Sequence, residues 1–306
     1  MPLRHASLRR LHVFEAVARL QSFSRAAAEL HLTQPAVSMQ VRQLEHEVGM
    51  PLYEQMGRRL DITPAGRAIA ACSRDLALRL RETQETLAQM TGAGGGEISI
   101  SAVSTAKYHV PMLLAEFRRK YPQVRVRLSV SNREQVVRDL TENSVDLAIM
   151  GTPPRGLDTI AVPFARHPIA IIAAPDHPLA RGKRLPLARL AGETFLIRER
   201  GSGTRSAMER VFRERRFHPR ETIEMSSNET IKQAVMAGMG VSFLSLHTVG
   251  LEVAARRLAV LDVAGTPVMR NWYVIHRERK RLSPVAEAFK TFLIARGAKA
   301  IDQALG

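Results

Sequence analysis

Near the start of the chain Leu11, Phe14 and Val17 recur at helical spacing, which predicts an amphipathic helix over Leu8–Leu20. A slimmer helix follows, with Ser24 at its N-cap position and Ala26, Ala27 and Ala28 permitting close packing. Thr33 is placed to cap a third helix, and Pro35 is tolerated in its first turn because the N–H groups there lack intrahelical partners. Within that helix Val37, Val41, Leu44 and Val48 share one face, while Gln34, Ser38 and Arg42 occupy the other, with Gln40 and Gln43 at its margins. These polar side chains, with Pro35 and Ala36 at the helix start, suit base edges and phosphates in a DNA major groove. Gly49 closes the helix, and Tyr53–Leu60 reads as a hairpin tipped by Met56-Gly57-Arg58-Arg59. The paired Arg58 and Arg59 suit a wing attracted to phosphates whatever the sequence. A slim three-helix cluster also serves as an assembly module, but polar face, turn and wing together favour DNA. Residues 1–62 are therefore read as a winged helix-turn-helix domain.

Thr63-Pro64 is a helix start, a cap followed by proline at the first helical position. From there Ile69, Cys72, Leu76, Leu80, Leu87 and Met90 keep a three-and-four spacing, with Thr83 the polar exception. The helix over 63–91 is a rod of roughly 40 Å. A narrow apolar stripe of that length predicts pairing with a second copy, hence a homodimer reading two half-sites. The single cysteine, Cys72, reads as a packing residue of this seam. Glycines at 92–96 make a hinge. They do not match a dinucleotide fingerprint, because Glu97 stands where the third glycine belongs and the glycines precede the strand.

Beyond Glu97 strands and helices alternate, the pattern of an α/β architecture. Ile98–Val103 and Val124–Val130 alternate like strands; Val145–Met150 and Ile169–Ala174 are continuous apolar runs of the kind found in buried parallel strands. Tyr108–Lys120, Glu134–Asn143, Arg205–Arg216 and Thr230–Ala237 read as helices. The strand-to-helix junctions carry Ser104-Thr105, Ser131-Asn132, Gly151-Thr152, Ser202-Gly203-Thr204 and Ser226-Ser227-Asn228. Taken singly each is an ordinary helix cap. On one sheet edge, with Lys107, His167 and Arg205 adding charge, they predict a crevice for a small anion.

Composition changes this picture only in part. The net charge is +16, but Met1 to Gly92 hold 12 Lys+Arg and 9 Asp+Glu, so +13 lies beyond the expected DNA-binding part. The DNA reading thus rests on the motif, and the remaining basicity serves anionic ligands, flanking DNA or solubility. A lone cysteine, the lack of a long apolar run and the lack of a signal-peptide pattern predict a cytoplasmic protein without a membrane partner. No HExxH, Cys/His cluster, GxSxG elbow or paired acid and base is found, so no metal, catalytic residue or enzymatic activity is expected.

The stretch Phe14–Gly66, above all FSRAAAELHLTQPAVSMQVRQLE and LDITPAGR, resembles the LysR-type transcriptional regulators of bacteria. The resemblance spans the chain and implies a multidomain α+β protein. Its parts are a winged helix-turn-helix, a dimerising linker helix and a C-terminal effector domain of two α/β subdomains like those of periplasmic binding proteins. Subdomain one would comprise 97–163 and 267–296, and subdomain two 164–266. It also implies a homotetramer, DNA bending, effector-tuned activation or repression, and RNA polymerase as a further partner. STAKY, RERGSGTR, SSNETIKQAVMAGMG, LDVAGTP and KRLSP further resemble regulators of carbon-fixation operons. That similarity implies an effector such as a phosphorylated sugar, phosphoenolpyruvate or NADPH, in a cleft lined by Ser104, Thr105, Thr152, Ser202 and Thr204. Alternatives are control of another metabolic operon, a DNA-tethered enzyme or a solute-binding module.

Overall fold

The computed structural model describes residues 7–56, 59–90 and 95–305. The chain divides into two compact units, Met1–Leu87 and Ala88–Gly306. In the first, α1 (Leu8–Leu20), α2 (Phe23–Glu29) and α3 (Gln34–Val48) enclose a core of Phe14, Val17, Ala26, Val37, Val41 and Leu44. Ser22, not Ser24, caps α2: its hydroxyl accepts from the Arg25 N–H, and its backbone is extended. The helix starts two residues earlier than expected, and Phe23 at its first position packs edge-on against Tyr53, ring centroids 5.1 Å apart. Ser24 instead donates to Gln34 Oε1 at 3.2 Å, tying the two helix starts together. Thr33 holds the cap position of α3, but its hydroxyl makes no capping bond.

The hairpin pairs β1 (Tyr53–Met56) with β2 (Arg59–Ile62), Met56 opposite Arg59 and Tyr53 opposite Ile62. It runs two residues past the predicted end, since Leu60 and Ile62 both pack on the core. Then α4 (Pro64–Met90) begins at Thr63, whose hydroxyl donates to the Pro51 carbonyl and accepts from the Gly66 N–H. A Cβ at Gly66 would lie 2.0 Å from the Leu52 carbonyl oxygen, so only glycine lets the helix start pass that backbone. This is the physical content of the LDITPAGR stretch. Ile69 and Ala70 close the core, whereas Leu76 and Leu80 are 37% and 48% exposed. With Leu8, Leu11, His12, Ser73 and Ala77 they line an open groove between α1 and α4. Cys72, expected in the packed seam, is exposed. Leu87 and Met90 are described by backbone alone, and Thr91 to Gly94 of the expected hinge lie outside the described residues.

The second unit is a mixed sheet of order β4 (Arg125–Ser131), β3 (Glu97–Val103), β5 (Leu147–Met150), β11 (Val268–Arg277), β6 (Thr159–Ala173), β9 (Val241–Ser245), β7 (Thr194–Arg198) and β8 (Glu221–Met225), with β10 (Ala259–Val260) added to β6. Its first lobe holds β3 (Glu97–Val103), α5 (Val110–Lys120), β4 (Arg125–Ser131), α6 (Arg133–Thr141) and β5 (Leu147–Met150). The second holds β7 (Thr194–Arg198), α7 (Gly203–Glu214), β8 (Glu221–Met225), α8 (Asn228–Met236), β9 (Val241–Ser245) and α9 (Gly250–Ala254). Two strands, β6 (Thr159–Ala173) and β11 (Val268–Arg277), cross between the lobes. Phe164, Ala165 and Trp272 belong to the first core, whereas Ile169 and Val268 pack with the second. The run Ile169–Ala174, expected to be a parallel strand, is the end of β6 and pairs antiparallel with both β9 and β11. A buried apolar run reports burial on both faces, not strand direction. A 3-10 turn at Ser104–Tyr108 occupies the start of the helix expected from Tyr108. The last helix, α10 (Pro284–Leu305), continues past residue 296 because Ala300 and Ile301 still pack on the first core. No helix among the described residues is long and apolar enough to cross a membrane.

Candidate functional sites

In the first unit α3 shows one face to the core and one to solvent. Val37, Val41 and Leu44 are fully buried. Pro35, Ser38, Met39, Arg42, Gln43 and His46 line the open face, recurring at the three- and four-residue intervals of one helical stripe. Gln34 is exposed and Ala36 half-buried at the start of this stripe. Gln40 departs from the expectation: it is half-buried, with Oε1 inside the protein, because its position turns it toward the core side. Met39 and His46 were missed, since an apolar residue and a late helical position do not read as base contacts. Arg58 lies outside the described residues, and Arg59 is described only by its backbone in β2.

In the second unit the crevice forms where the lobes face each other. A small cavity is lined by Ser104 and Thr105 after β3, Asn132 and Arg133 after β4, and Gly151 and Thr152 after β5. Ser202, Gly203 and Thr204 contribute from the start of α7, with His167, Arg198 and Arg270 completing the wall. The start of α6 is capped by Asn132, which accepts from the Gln135 N–H, and that of α7 by Ser202, which accepts from the Thr204 and Arg205 N–H groups. Two helix N-termini therefore meet at one cavity, an arrangement that favours negative charge.

The cations that reach the cavity differ from those expected. Arg205 turns away to Glu209 and Glu224, and Lys107 sits 3.6 Å from Glu229. Asn228 is buried beneath Arg198 and accepts a hydrogen bond from it rather than facing a ligand. His167 lines the cavity but adds no charge. Burial holds its pKa well below the ordinary value, and Arg270, His247 and His109 push the same way. Its ring stacks on Trp272 at 3.9 Å, and both nitrogens are buried without a partner among the described residues. The charge comes instead from Arg270 and Arg133. Arg270 donates to the Gly151 carbonyl at 2.7 Å and to the Gly203 carbonyl at 3.2 Å, so one guanidinium joins both lobes. It also donates to Thr152 Oγ1. Its pKa is pushed down to about 10, first by burial and then by Arg210 and Arg133. Burial lowers that of Arg133 as well. Arg198 is neutralised by Glu199 at 2.7 Å and reaches Ser104 Oγ at 3.1 Å. Among the described residues neither Arg133 nor Arg270 has a carboxylate partner. Arg133, Arg155, Arg210 and Arg270 surround the adjoining open mouth. A Cβ at Gly151 would come within 2.8 Å of His167 Nδ1 and 3.1 Å of Arg270 Nη2, so glycine keeps this wall open. Arg270 is the main residue that sequence reasoning missed; it lies on a crossing strand, far from any junction motif.

Comparison with known families accounts for both units. Residues 8–67 match the model of the bacterial regulatory helix-turn-helix proteins of the lysR family, and residues 91–298 match that of the LysR substrate binding domain. The chain belongs to the LysR family. It is thus a DNA-binding transcriptional regulator and not an enzyme. Among similar LysR-family regulators, a RuBisCO operon transcriptional regulator of Allochromatium vinosum is 50% identical, over 96% of this chain and 98% of that protein. The regulator CfxR of Cupriavidus necator is 48% identical, over 99% of this chain and 96% of that protein. A solved regulatory domain, that of Synechocystis CcmR in complex with 2-PG, is 41% identical with a TM-score of 0.63, covering 66% of this chain and 96% of that one. Full-length CbnR complexed with its target DNA has a TM-score of 0.66 at 25% identity, covering 95% of this chain and 100% of that one.

Proposed function

We propose that this LysR-family regulator controls carbon-fixation genes and that a small phosphorylated metabolite, of the size of 2-phosphoglycolate, tunes it from the cavity between the lobes. The observation that carries the effector reading is Arg270. It is a half-buried guanidinium with no carboxylate partner among the described residues, held between two lobes and beside two helix N-termini, and an anion supplies the missing partner. In this reading Ser202 and Thr204 hold the phosphate at the start of α7, Ser104, Thr105 and neutral His167 contact the uncharged part, and Arg133 and Arg270 balance the charge. The 41% identity to a domain in complex with 2-PG and the carbon-fixation relatives support this reading. Operator contact runs through Gln34, Ser38, Arg42, Gln43 and the wing, and two copies pair along α1 and α4. A tetramer, contact with RNA polymerase and a cytoplasmic location belong to the same reading and rest on family membership.

Calorimetry and thermal denaturation of the full chain with 2-phosphoglycolate test this. A ligand at a hundred times its Kd stabilises the folded protein by about 2.7 kcal/mol. The parent should bind saturably, glycolate should not compete, and Thr204→Ala should bind at least tenfold more weakly. Equal affinity of parent and variant would contradict the site; no binding of any phosphorylated metabolite would contradict the effector class.

A further inference from the structure

A second concentration of charge lies at the far end of α7, about 18 Å along the helix from the cavity. The loop over 180–191 carries Arg181, Lys183, Arg184 and Arg189 and no acidic residue. The end of α7 and the turn after it add Arg213, Arg215, Arg216 and Arg220 against Glu214 alone. All eight of these cations are exposed. Backbone contacts make the segments one surface. Leu185 donates to the Asp262 carbonyl at 2.7 Å, Ala264 to the Leu185 carbonyl at 2.8 Å, and Arg220 to the Ala191 carbonyl at 3.0 Å. Arg215 spans the same ground through the Ala264 and Gly265 carbonyls. Glu214 is taken by Arg210 and Glu193 by His177, and among the described residues none of the eight cations has a carboxylate within ion-pairing distance.

Helix-end stabilisation explains some of this charge, because cations favour a helix C-terminus. It does not explain Arg181, Lys183 and Arg184, which precede the short 3-10 helix Leu187–Leu190 and sit at no helix C-terminus. Arg184 and Arg216 also hold φ of 44° and 48°, left-handed backbone that glycine or asparagine adopts with less strain. At two turns, then, the chain keeps a guanidinium where an easier turn residue would serve. No large hydrophobic side chain is exposed on the loop or the helix end among the described residues. A protein partner ordinarily needs such an anchor. Exposed arginines without an apolar centre match a phosphate backbone, which forked guanidinium groups bind without reading sequence.

We infer that this face of the effector unit is a second DNA contact, holding phosphates of duplex outside the operator bases. The inference rests on membership of a DNA-binding family and is independent of the effector reading. Salt dependence tests it, because each phosphate contact contributes about 0.9 to the slope of log affinity against log salt. The full chain is titrated onto its own footprinted duplex, once cut to the protected bases and once extended on both sides. Two variants are compared with the parent: R181Q/K183Q/R184Q/R189Q and R213Q/R216Q/R220Q. Arg215 is kept because it holds the Ala264 and Gly265 carbonyls. On the extended duplex both variants should lose roughly 2 to 4 from the slope, while the short duplex and the melting temperature stay at parental values. Parental slopes on both duplexes, in either correctly folded variant, would overturn the inference. If transcription in a reconstituted system failed despite parental slopes, the face would serve a protein partner instead, which also overturns it. Loss of effector response with normal slopes would concern the cavity, so the two readings fail separately.

Discussion

Arg42 and Arg270 show how unevenly single residues announce themselves. Arg42 falls on the polar side of an apolar periodicity, and the structure exposes it beside Ser38 and Gln43. Arg42→Ala should weaken operator binding by roughly 1–3 kcal/mol, about five- to 150-fold, in a mobility-shift titration. Unchanged affinity would remove α3 as the reading helix. Arg270 had no such signal, because its partners Gly151 and Gly203 lie 119 and 67 residues away in sequence. Arg270→Gln keeps a donor but deletes the charge. Since charge-assisted hydrogen bonds are worth about 1.5–3 kcal/mol, 2-phosphoglycolate affinity should fall roughly tenfold or more. Trp272, the single tryptophan, offers a readout through the ring of His167 on which it stacks. Its emission should change saturably with ligand in the parent, and only at much higher ligand in the variant.

At the scale of elements, periodicity and caps placed α1, α3, α4 and the outer helices within a residue or two, because those signals are local. Strand direction was not local: β6 and β11 became antiparallel crossing strands only through pairing partners distant in sequence. Their crossing region also buries His109, His167 and His247 around Trp272, which donates to His247 Nδ1 at 2.9 Å. Burial pushes the His109 pKa down to about 3 and that of His247 to about 4, and holds His167 well below its usual value. Depressed folded-state values mean that the unfolded chain binds more protons below pH 6.5. Stability of the effector unit should therefore be level above neutrality and fall as pH drops from about 6.5 toward 4. Thermal denaturation across that range checks it. His109→Asn, which cannot titrate, should flatten the slope, and an unchanged slope would assign the loss to other groups.

For the whole molecule, the apolar stripe of α4 was legible as an unsatisfied surface. The structure leaves Leu8, Leu76 and Leu80 exposed along one groove. Leu80→Glu should shift sedimentation from dimer to monomer and weaken operator binding, since two half-sites would no longer be held by one particle. A dimer of parental stability would move the interface elsewhere. Regulation requires the two units to be coupled: occupancy of the cavity must alter what the reading helix does. A ligand shifts a conformational equilibrium only by its differential affinity for the states, so the coupling is measurable as one ratio. Operator affinity of the full chain, measured by fluorescence anisotropy with and without saturating 2-phosphoglycolate, should differ by roughly fivefold or more in the parent. It should not differ in Thr204→Ala, whose affinity without ligand should match the parent. The same affinity with and without bound ligand in the parent, or an equal response in Thr204→Ala, would contradict the account.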